Sequence, residues 1–539
     1  MTNGFAPSGP PSRLGVVVGG SLSRGLDIRL DNVGAIEEAK VGTFVTAHGA
    51  AARFFGIVTD LRLESSDSRL ASTVANGAPG LAEVLSGTTA YSAATITPML
   101  TTSAAGDEPQ PARSLPPHFA SVYRASNEDV AAVFGSEDDA CNIWIGSPLD
   151  MEDTRVCLNL EEYVKRSNGV FGKSGTGKSF LTRILLAGIL QRSAAVNLVF
   201  DMHSEYGWQA VSESGYAAKG LKQLFPGRVS VFTLDPVSSR QRGVTTDYEA
   251  RIGFDEIEPE DVAILAPTLN ITDLGVQSCY ALQRRFGSRW VLELLDADMD
   301  ALAEELRESR ATLDALRRRL NSLLRLDFMS RQPVEGGGTV RRVLDHLTDN
   351  RHVVLEFGRH GNDLTAYLLV ANLITRRIHA EYRSRSETAE SLGERQPNPL
   401  VIVIEEAHRF LNPGAAGSTI FGTIAREDRK YRVTLLVVDQ RPSGIDPEVL
   451  SQIGTRISCQ LDNDRDIDAV LAGAPGAREL RAVLARLESQ QQSLMFGHAL
   501  PMPVVVRTRA YDESFYADMR LPGHGAPAGA RLDKKDLFG

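Results

Sequence analysis

The sequence predicts an α/β protein whose main body is a parallel sheet, preceded by a small β-barrel and interrupted by a helical insertion. Three observations lead there. Short β-branched segments punctuated by Gly fill residues 13–63, strand-sized apolar runs alternate with helical patterns over 168–240 and 352–458, and a leucine-rich helical stretch separates those two blocks. Strands alternating with helices imply parallel pairing, because a parallel connection needs a crossover long enough to hold a helix.

Taken in order, LGVVV at 14–18, VGTFVTA at 41–47 and FFGIVTDLRL at 54–63 read as barrel strands. Residues 65–80 and 101–117 read as loops, the second marked by Pro109, Pro111, Pro116 and Pro117. These set a first unit at 1–150, a main unit at 151–520 and a flexible tail at 521–539. In the main unit, NGVF leads through a Gly-rich turn into the helix FLTRILLAGILQR, followed by the strand VNLVFD, a helix near 207–224 and the strand RVSVFTLD. The insertion covers about 250–345. Within it, Leu302, Leu306, Leu313, Leu316, Leu320 and Leu323 form the seam of an amphipathic helix. Strands resume at HVVLEFG and continue through LVIVIEEAH and VTLLVVDQRP to RISCQL, with a polar stretch at 383–399.

Composition excludes several classes. With 58 basic and 68 acidic residues the net charge is -10, which argues against coating nucleic acid with the whole surface and leaves room for a local basic channel. Only nine of the basic residues are Lys, so a Lys that persists in this Arg-rich background stands out. Cys141, Cys157, Cys279 and Cys459 lie far apart in no metal-ligand spacing, as expected of reduced thiols in the cytosol. No apolar run approaches the ~18 residues of a membrane span, and MTNGFAPSGPPSR has no apolar core of a secretory signal. The expectation is a soluble cytoplasmic protein that does not enter a membrane.

The chemistry concentrates at strand ends. Gly172, Lys173, Ser174, Gly175, Thr176, Gly177, Lys178 and Ser179 match the phosphate-binding P-loop, with a strand before and a helix after. Glycines let backbone N–H groups turn onto phosphate oxygens, and the helix N-terminus adds a favourable dipole. The nucleotide-binding segment is read as Gly172 to Phe180. Lys178 is placed on the β/γ-phosphates and the Ser179 hydroxyl on Mg²⁺, which makes ATP and Mg²⁺ the expected cofactors. The strand LVIVI then delivers Glu405, expected to hold Mg²⁺ through water, and Glu406, expected to orient and deprotonate the attacking water. A helix-start acidic pair suiting the dipole is the rival reading. His408 reads as a packing or orienting residue.

Gln440 ends the next strand, where its amide can contact both γ-phosphate and water; a turn residue ahead of Arg441-Pro442 is the alternative. Asp201, in FDMHSEY with His203 and Glu205, either faces Mg²⁺ or caps the turn. Arg426, Arg429, Lys430 and Arg432 in IAREDRKYR read as a solvated helix face or as a functional cluster. Arg317-Arg318-Arg319 is the densest basic cluster and reads more readily as solvated surface than as a DNA contact.

With GKSGTGKS, FDMHSEY, VIVIEEAH, IAREDRKY and VVDQRPS in this order, the sequence resembles the HerA branch of the HerA/FtsK motor ATPases. The motifs span about 166–445; the barrel, the helical insertion and the DKKDLFG tail are also similar to family features. The resemblance implies a RecA-like fold, a homohexameric ring and ATP-driven translocation along double-stranded DNA. It also implies a nuclease or other effector partner, NurA-like or sirtuin-like, in DNA end processing or anti-phage defence. It carries Lys178 and Ser179 over as phosphate and Mg²⁺ contacts and Glu405 and Glu406 as the acidic pair. Arg426 falls where the family places a finger reaching the neighbouring subunit, and Arg166, before the P-loop strand, matches a further family Arg. Asp428 stands where the family usually has Gly. Two rivals stay open: an ATP-gated ring serving as an assembly platform, and a conjugation- or secretion-type motor of the same superfamily.

Overall fold

The computed structural model describes residues 12–31, 36, 39–65, 90–103, 108–149, 151–211, 217–334, 338–417, 419–474, 476–488 and 491–520. The tail at 521–539 and most of the loop expected at 65–80 lie outside them, as does the side chain of Asp428.

Six N-terminal strands close on themselves. Gly25–Leu30, Arg13–Ser21, Ser121–Arg124, Phe44–His48, Ala52–Ser65 and Ala90–Ser103 neighbour one another in that order, and the last pairs back with the first. Closure removes exposed strand edges. Period-two alternation gives the barrel two apolar faces. Val45 and Phe54 point into its own core with Leu26, Ile28 and Val122, whereas Phe44, Phe55 and Ile57 face outward and join the core of the main body with Phe134. Three of these strands coincide with segments expected from the sequence. Gly25–Leu30, Ala90–Ser103 and Ser121–Arg124 were not marked by apolar runs.

The main sheet has twelve strands. Eight are parallel, in the order Tyr248–Glu249, Val229–Thr233, His352–Glu356, Val196–Asp201, Leu400–Glu405, Val433–Asp439, Asn168–Phe171 and Thr455–Ser458. Gln492–Gly497, Val504–Thr508, Asn142–Pro148 and Val156–Asn159 extend it antiparallel. Asn142–Pro148 thus pairs into the main sheet although it precedes residue 150; the last barrel strand ends at Arg124. The central parallel strands are buried throughout, as expected where helices cover both faces.

Two helical expectations change. The leucine seam is split between Met299–Leu306 and Arg310–Asn321, because Arg307 is left-handed (φ 55°) and caps the first helix. Leu302, Leu313, Leu316, Leu320 and Leu323 are still buried, so the apolar spacing reported packing correctly and continuity wrongly. Near 207–224, the described residues hold only the short helix Leu221–Leu224 and the pair Ala210–Val211 with Ala217–Ala218.

Candidate active site

All eight parallel strands end on the same edge, where open α/β sheets collect functional groups. Register fixes which groups meet. Phe171 lies opposite Asp439 on one side and Ser458 on the other, Glu405 lies opposite Val438, and Asp201 lies opposite Glu356. The P-loop therefore leaves its strand between Asp439 and Cys459, with Glu405 and Glu406 one strand further on.

The loop geometry needs its glycines. Gly172 is at φ 151° and a Cβ there would meet Cys459 Cβ at 2.8 Å; Gly177 is left-handed at φ 94°. Gly177 caps the helix Lys178–Arg192 with no side-chain acceptor, so the first-turn N–H groups are left for an anion. Thr176 Oγ1 and Lys178 Nζ both donate to the carbonyl of Lys173, at 2.8 and 2.7 Å, which closes the loop on itself. Lys173 Nζ pairs with Asp462 at 2.9 Å. Burial lowers the Lys178 ammonium pKa, while Cys459, Glu406, Asp439 and Glu405 favour its charged form. A cation held in this way gains most by exchanging a carbonyl for phosphate. Ser174 is exposed, Ser179 is half-buried, and Phe180 packs inward on Tyr511 at 6.1 Å between ring centroids, so Phe180 can offer a nucleotide only its backbone.

Glu405 is buried. Its Oε1 accepts from Tyr206 Oη at 3.1 Å, and its Oε2 has no partner. Burial, then the charges of Asp201 and Glu205, push this carboxyl well above the usual range. A buried, unpartnered oxygen beside a P-loop suits a cation or its bound water. With the Ser179 hydroxyl, these are the groups that could hold Mg²⁺.

Glu406 sits in the left-handed region at φ 48°, rare for a residue with a long side chain. Its Oε1 accepts from Gln440 Nε2 at 3.0 Å, and its Oε2 is 3.6 Å from His408 Nδ1. The His408 backbone N–H donates to Asp439 Oδ2 at 2.7 Å, and Nδ1 lies 3.1 Å from the same oxygen. A carboxylate only accepts, so Nδ1 carries the proton. That bond raises the His408 pKa above its ordinary value. Glu406, His408 and Asp439 offer oxygen and nitrogen atoms within 4.8 Å of one another, and these hydrogen bonds account for the grouping.

Three expected residues stand differently. Asp201 accepts from the backbone N–H groups of Glu205 at 2.9 Å, Tyr206 at 2.8 Å and Gly207 at 3.4 Å. Both its oxygens thus cap the 201–207 turn, the second of the two roles read for it from the sequence. Arg166 precedes the strand that the P-loop follows, so within one chain it sits at the opposite end of the sheet from the phosphate loop, roughly 20 Å away at ~3.3 Å per strand residue. It does not join its own chain's nucleotide site. Arg426, at the end of the helix Ile420–Glu427, donates to the Ala416 carbonyl at 2.7 Å and lies 3.8 Å from Glu448.

Sequence reasoning passed over Asp439 and Tyr206. Asp439 was signalled by the logic used for Glu405, an acid ending an apolar strand, but Gln440 beside it took the role. Tyr206 had no such signal, since its contact spans two distant segments.

The family model described as "Helicase HerA, central domain" matches residues 143–378. Over 412 residues the sequence is 26% identical to the DNA double-strand break repair helicase HerA of Pyrococcus furiosus, covering 73% of each chain. These two matches support a HerA-type P-loop ATPase. The HerA relative of Sulfolobus acidocaldarius, also described as a DNA double-strand break repair helicase, is 24% identical over 403 residues, 74% of each chain. Among solved structures this chain is similar to VirB4 of Thermoanaerobacter pseudethanolicus, with 15% identity and a TM-score of 0.46, covering 70% of this chain and 98% of that one. Among the described residues no helix is long and apolar enough to cross a membrane.

Proposed function

We propose that this chain is an ATP-driven motor that translocates double-stranded DNA as a homohexameric ring and serves a nuclease or other effector. The observation that carries the reading is the hydrogen-bonded pair Glu406–Gln440 at the strand ends flanking the P-loop. A general base and an amide sensor on adjacent strands are what γ-phosphate hydrolysis requires.

In this reading the uncapped first turn of Lys178–Arg192 and the Lys178 ammonium hold the β- and γ-phosphates. Mg²⁺, when bound, neutralises charge on those oxygens, held by the Ser179 hydroxyl and, through water, by Glu405 Oε2. Gln440 fixes the Glu406 carboxylate and touches the attacking water. Glu406 takes that water's proton while its oxygen bonds the γ-phosphorus, and the bond to the leaving oxygen of ADP breaks. His408, tethered to Asp439, sets the position of Glu406 from the other side.

Arg426 is assigned to the neighbouring subunit's nucleotide. Its guanidinium must leave the Ala416 carbonyl to reach across, so ring assembly and finger engagement are coupled. Arg166, remote from its own P-loop, is assigned to the same neighbouring face. The DNA end-processing role is supported by the relatives named DNA double-strand break repair helicase HerA; the defence role is the alternative that the sequence resemblance implies. Stimulation of ATP hydrolysis by duplex DNA tests the motor against an ATP-gated assembly platform, which need not respond.

A further inference from the structure

Tyr206 is fully buried, and its hydroxyl donates to Glu405 Oε1 at 3.1 Å, while Oε2 of the same carboxylate has no hydrogen-bond partner. The ring is not placed by chance packing alone. Asp201 Oδ2 accepts the Tyr206 backbone N–H at 2.8 Å, and Oδ1 accepts that of Glu205 at 2.9 Å, which ties the turn to the end of its own strand. From the other side, the Arg183 guanidinium donates to the Glu205 carbonyl. Arg183 belongs to the helix that begins at Lys178, and it stacks on Phe180 at 5.4 Å. The turn at 201–207 is therefore bound at once to the phosphate-binding helix and to the carboxylate opposite it. Tyr367 completes the frame: its hydroxyl bonds both the carbonyl and the backbone N–H of Glu405, at 3.0 and 3.2 Å, and so fixes the backbone while Tyr206 fixes the side chain.

We propose that Tyr206 is a positioning residue which, on a turn strapped to the P-loop helix through Arg183, aims the free oxygen of Glu405 at the Mg²⁺ site. Partners one step removed from a metal commonly set ligand orientation, and their loss costs about 10–100-fold in metal affinity or activity. Here the partner also fixes distance, because the turn it sits on moves with the helix that carries Ser179. The inference rests on the reading of Glu405 as the Mg²⁺-side carboxylate.

The test measures Mn²⁺ affinity, by electron paramagnetic resonance, of full-length protein saturated with the non-hydrolysable analogue AMPPNP. Glu405→Gln should weaken Mn²⁺, and Tyr206→Phe should weaken it by about tenfold, while metal-free AMPPNP binds both variants as it binds the parent. The double variant should be no weaker than Glu405→Gln alone, since Tyr206 acts only through that carboxylate. If Glu405→Gln leaves Mn²⁺ affinity unchanged, the reading of the site falls and the inference with it. If Glu405→Gln weakens Mn²⁺ but Tyr206→Phe does not, or if the two losses add, the inference alone is overturned. Should Tyr206→Phe lower the folded yield, 3-fluorotyrosine at position 206 keeps the ring and gives a stronger donor. Mn²⁺ affinity should then shift, and no shift overturns the proposal.

Discussion

Gln440 donates its amide to Glu406 at 3.0 Å, joining the ends of two neighbouring parallel strands on the edge from which the P-loop emerges. The bond gives each residue a defined orientation before nucleotide arrives. Glu406→Gln should keep ATP bound while hydrolysis falls by ~10²–10⁴, the usual contribution of a general base. Gln440→Ala, which removes only the donor, should cost about tenfold in kcat with little change in nucleotide affinity. Lys178→Ala should lose hydrolysis by removing the phosphate-facing charge. A Glu406→Gln enzyme that turns over at the parental rate shows that the base lies elsewhere.

Left-handed backbone at Glu406 sets function against stability. A side chain at φ 48° costs about 1–2 kcal/mol that glycine would not bear. Glu406→Gly should therefore be at least as resistant to heat as the parent while failing to hydrolyse ATP, as scanning calorimetry and a phosphate-release assay would register. A clear loss of Tm would mean that the Glu406 side chain also holds the fold.

His352 begins a central strand, is buried, and accepts the Asn197 backbone N–H at 3.0 Å through Nδ1. Burial, assisted by Arg228, holds its pKa down at about 3 against an ordinary 6.5. The unfolded chain takes up a proton below 6.5 that the folded chain refuses, so this residue's contribution to stability is complete above 6.5 and is lost as pH falls toward 3, at up to ~1.4 kcal/mol per pH unit. Glu356 works in the opposite sense. Burial, with Asp201 beside it, raises its carboxyl to about 7, so stability is lost as pH rises from the ordinary carboxylate range to 7. A difference measurement separates the two: urea midpoints of His352→Gln should fall less steeply from pH 6.5 to 4 than those of the parent. Parallel slopes would exclude His352 as a source of acid sensitivity.

Much of this site is legible in the sequence because its groups are local to strand ends. A Gly-rich turn between strand and helix, and acids or amides closing apolar runs, announce themselves within a few residues. What stays hidden depends on register and backbone conformation. Nothing near Tyr206 tells that it meets Glu405, 199 residues away, and nothing near His408 tells that Asp439 will fix it. The left-handed backbone of Arg307, which divides the leucine seam, is equally silent, since apolar spacing continues across the break. Asp201 shows the converse: a strand-end acid whose oxygens cap its own turn.

Arg426 should act between subunits. In one chain it is bonded to Ala416 and near Glu448, so Arg426→Ala should leave nucleotide affinity intact. Loss of a finger costs ~10³–10⁵ in rate, and Lys should substitute poorly because it lacks the planar fork. Mixing Arg426→Ala with Lys178→Ala subunits should restore activity at interfaces that pair an intact P-loop with an intact finger. Efficient mixing with no regain would place Arg426 within its own subunit's fold.

The most direct measurement of the central claim is the steady-state ATPase rate with and without duplex DNA, titrated with salt. A DNA motor should hydrolyse ATP faster on duplex, and the stimulation should weaken as salt competes for the phosphates, with Lys178→Ala inactive throughout. On a chain of net charge -10 the responsible cations are expected in a local basic channel, whose phosphate contacts the salt slope would count. An ATPase rate indifferent to duplex DNA, or raised equally by an uncharged polymer, would contradict the account.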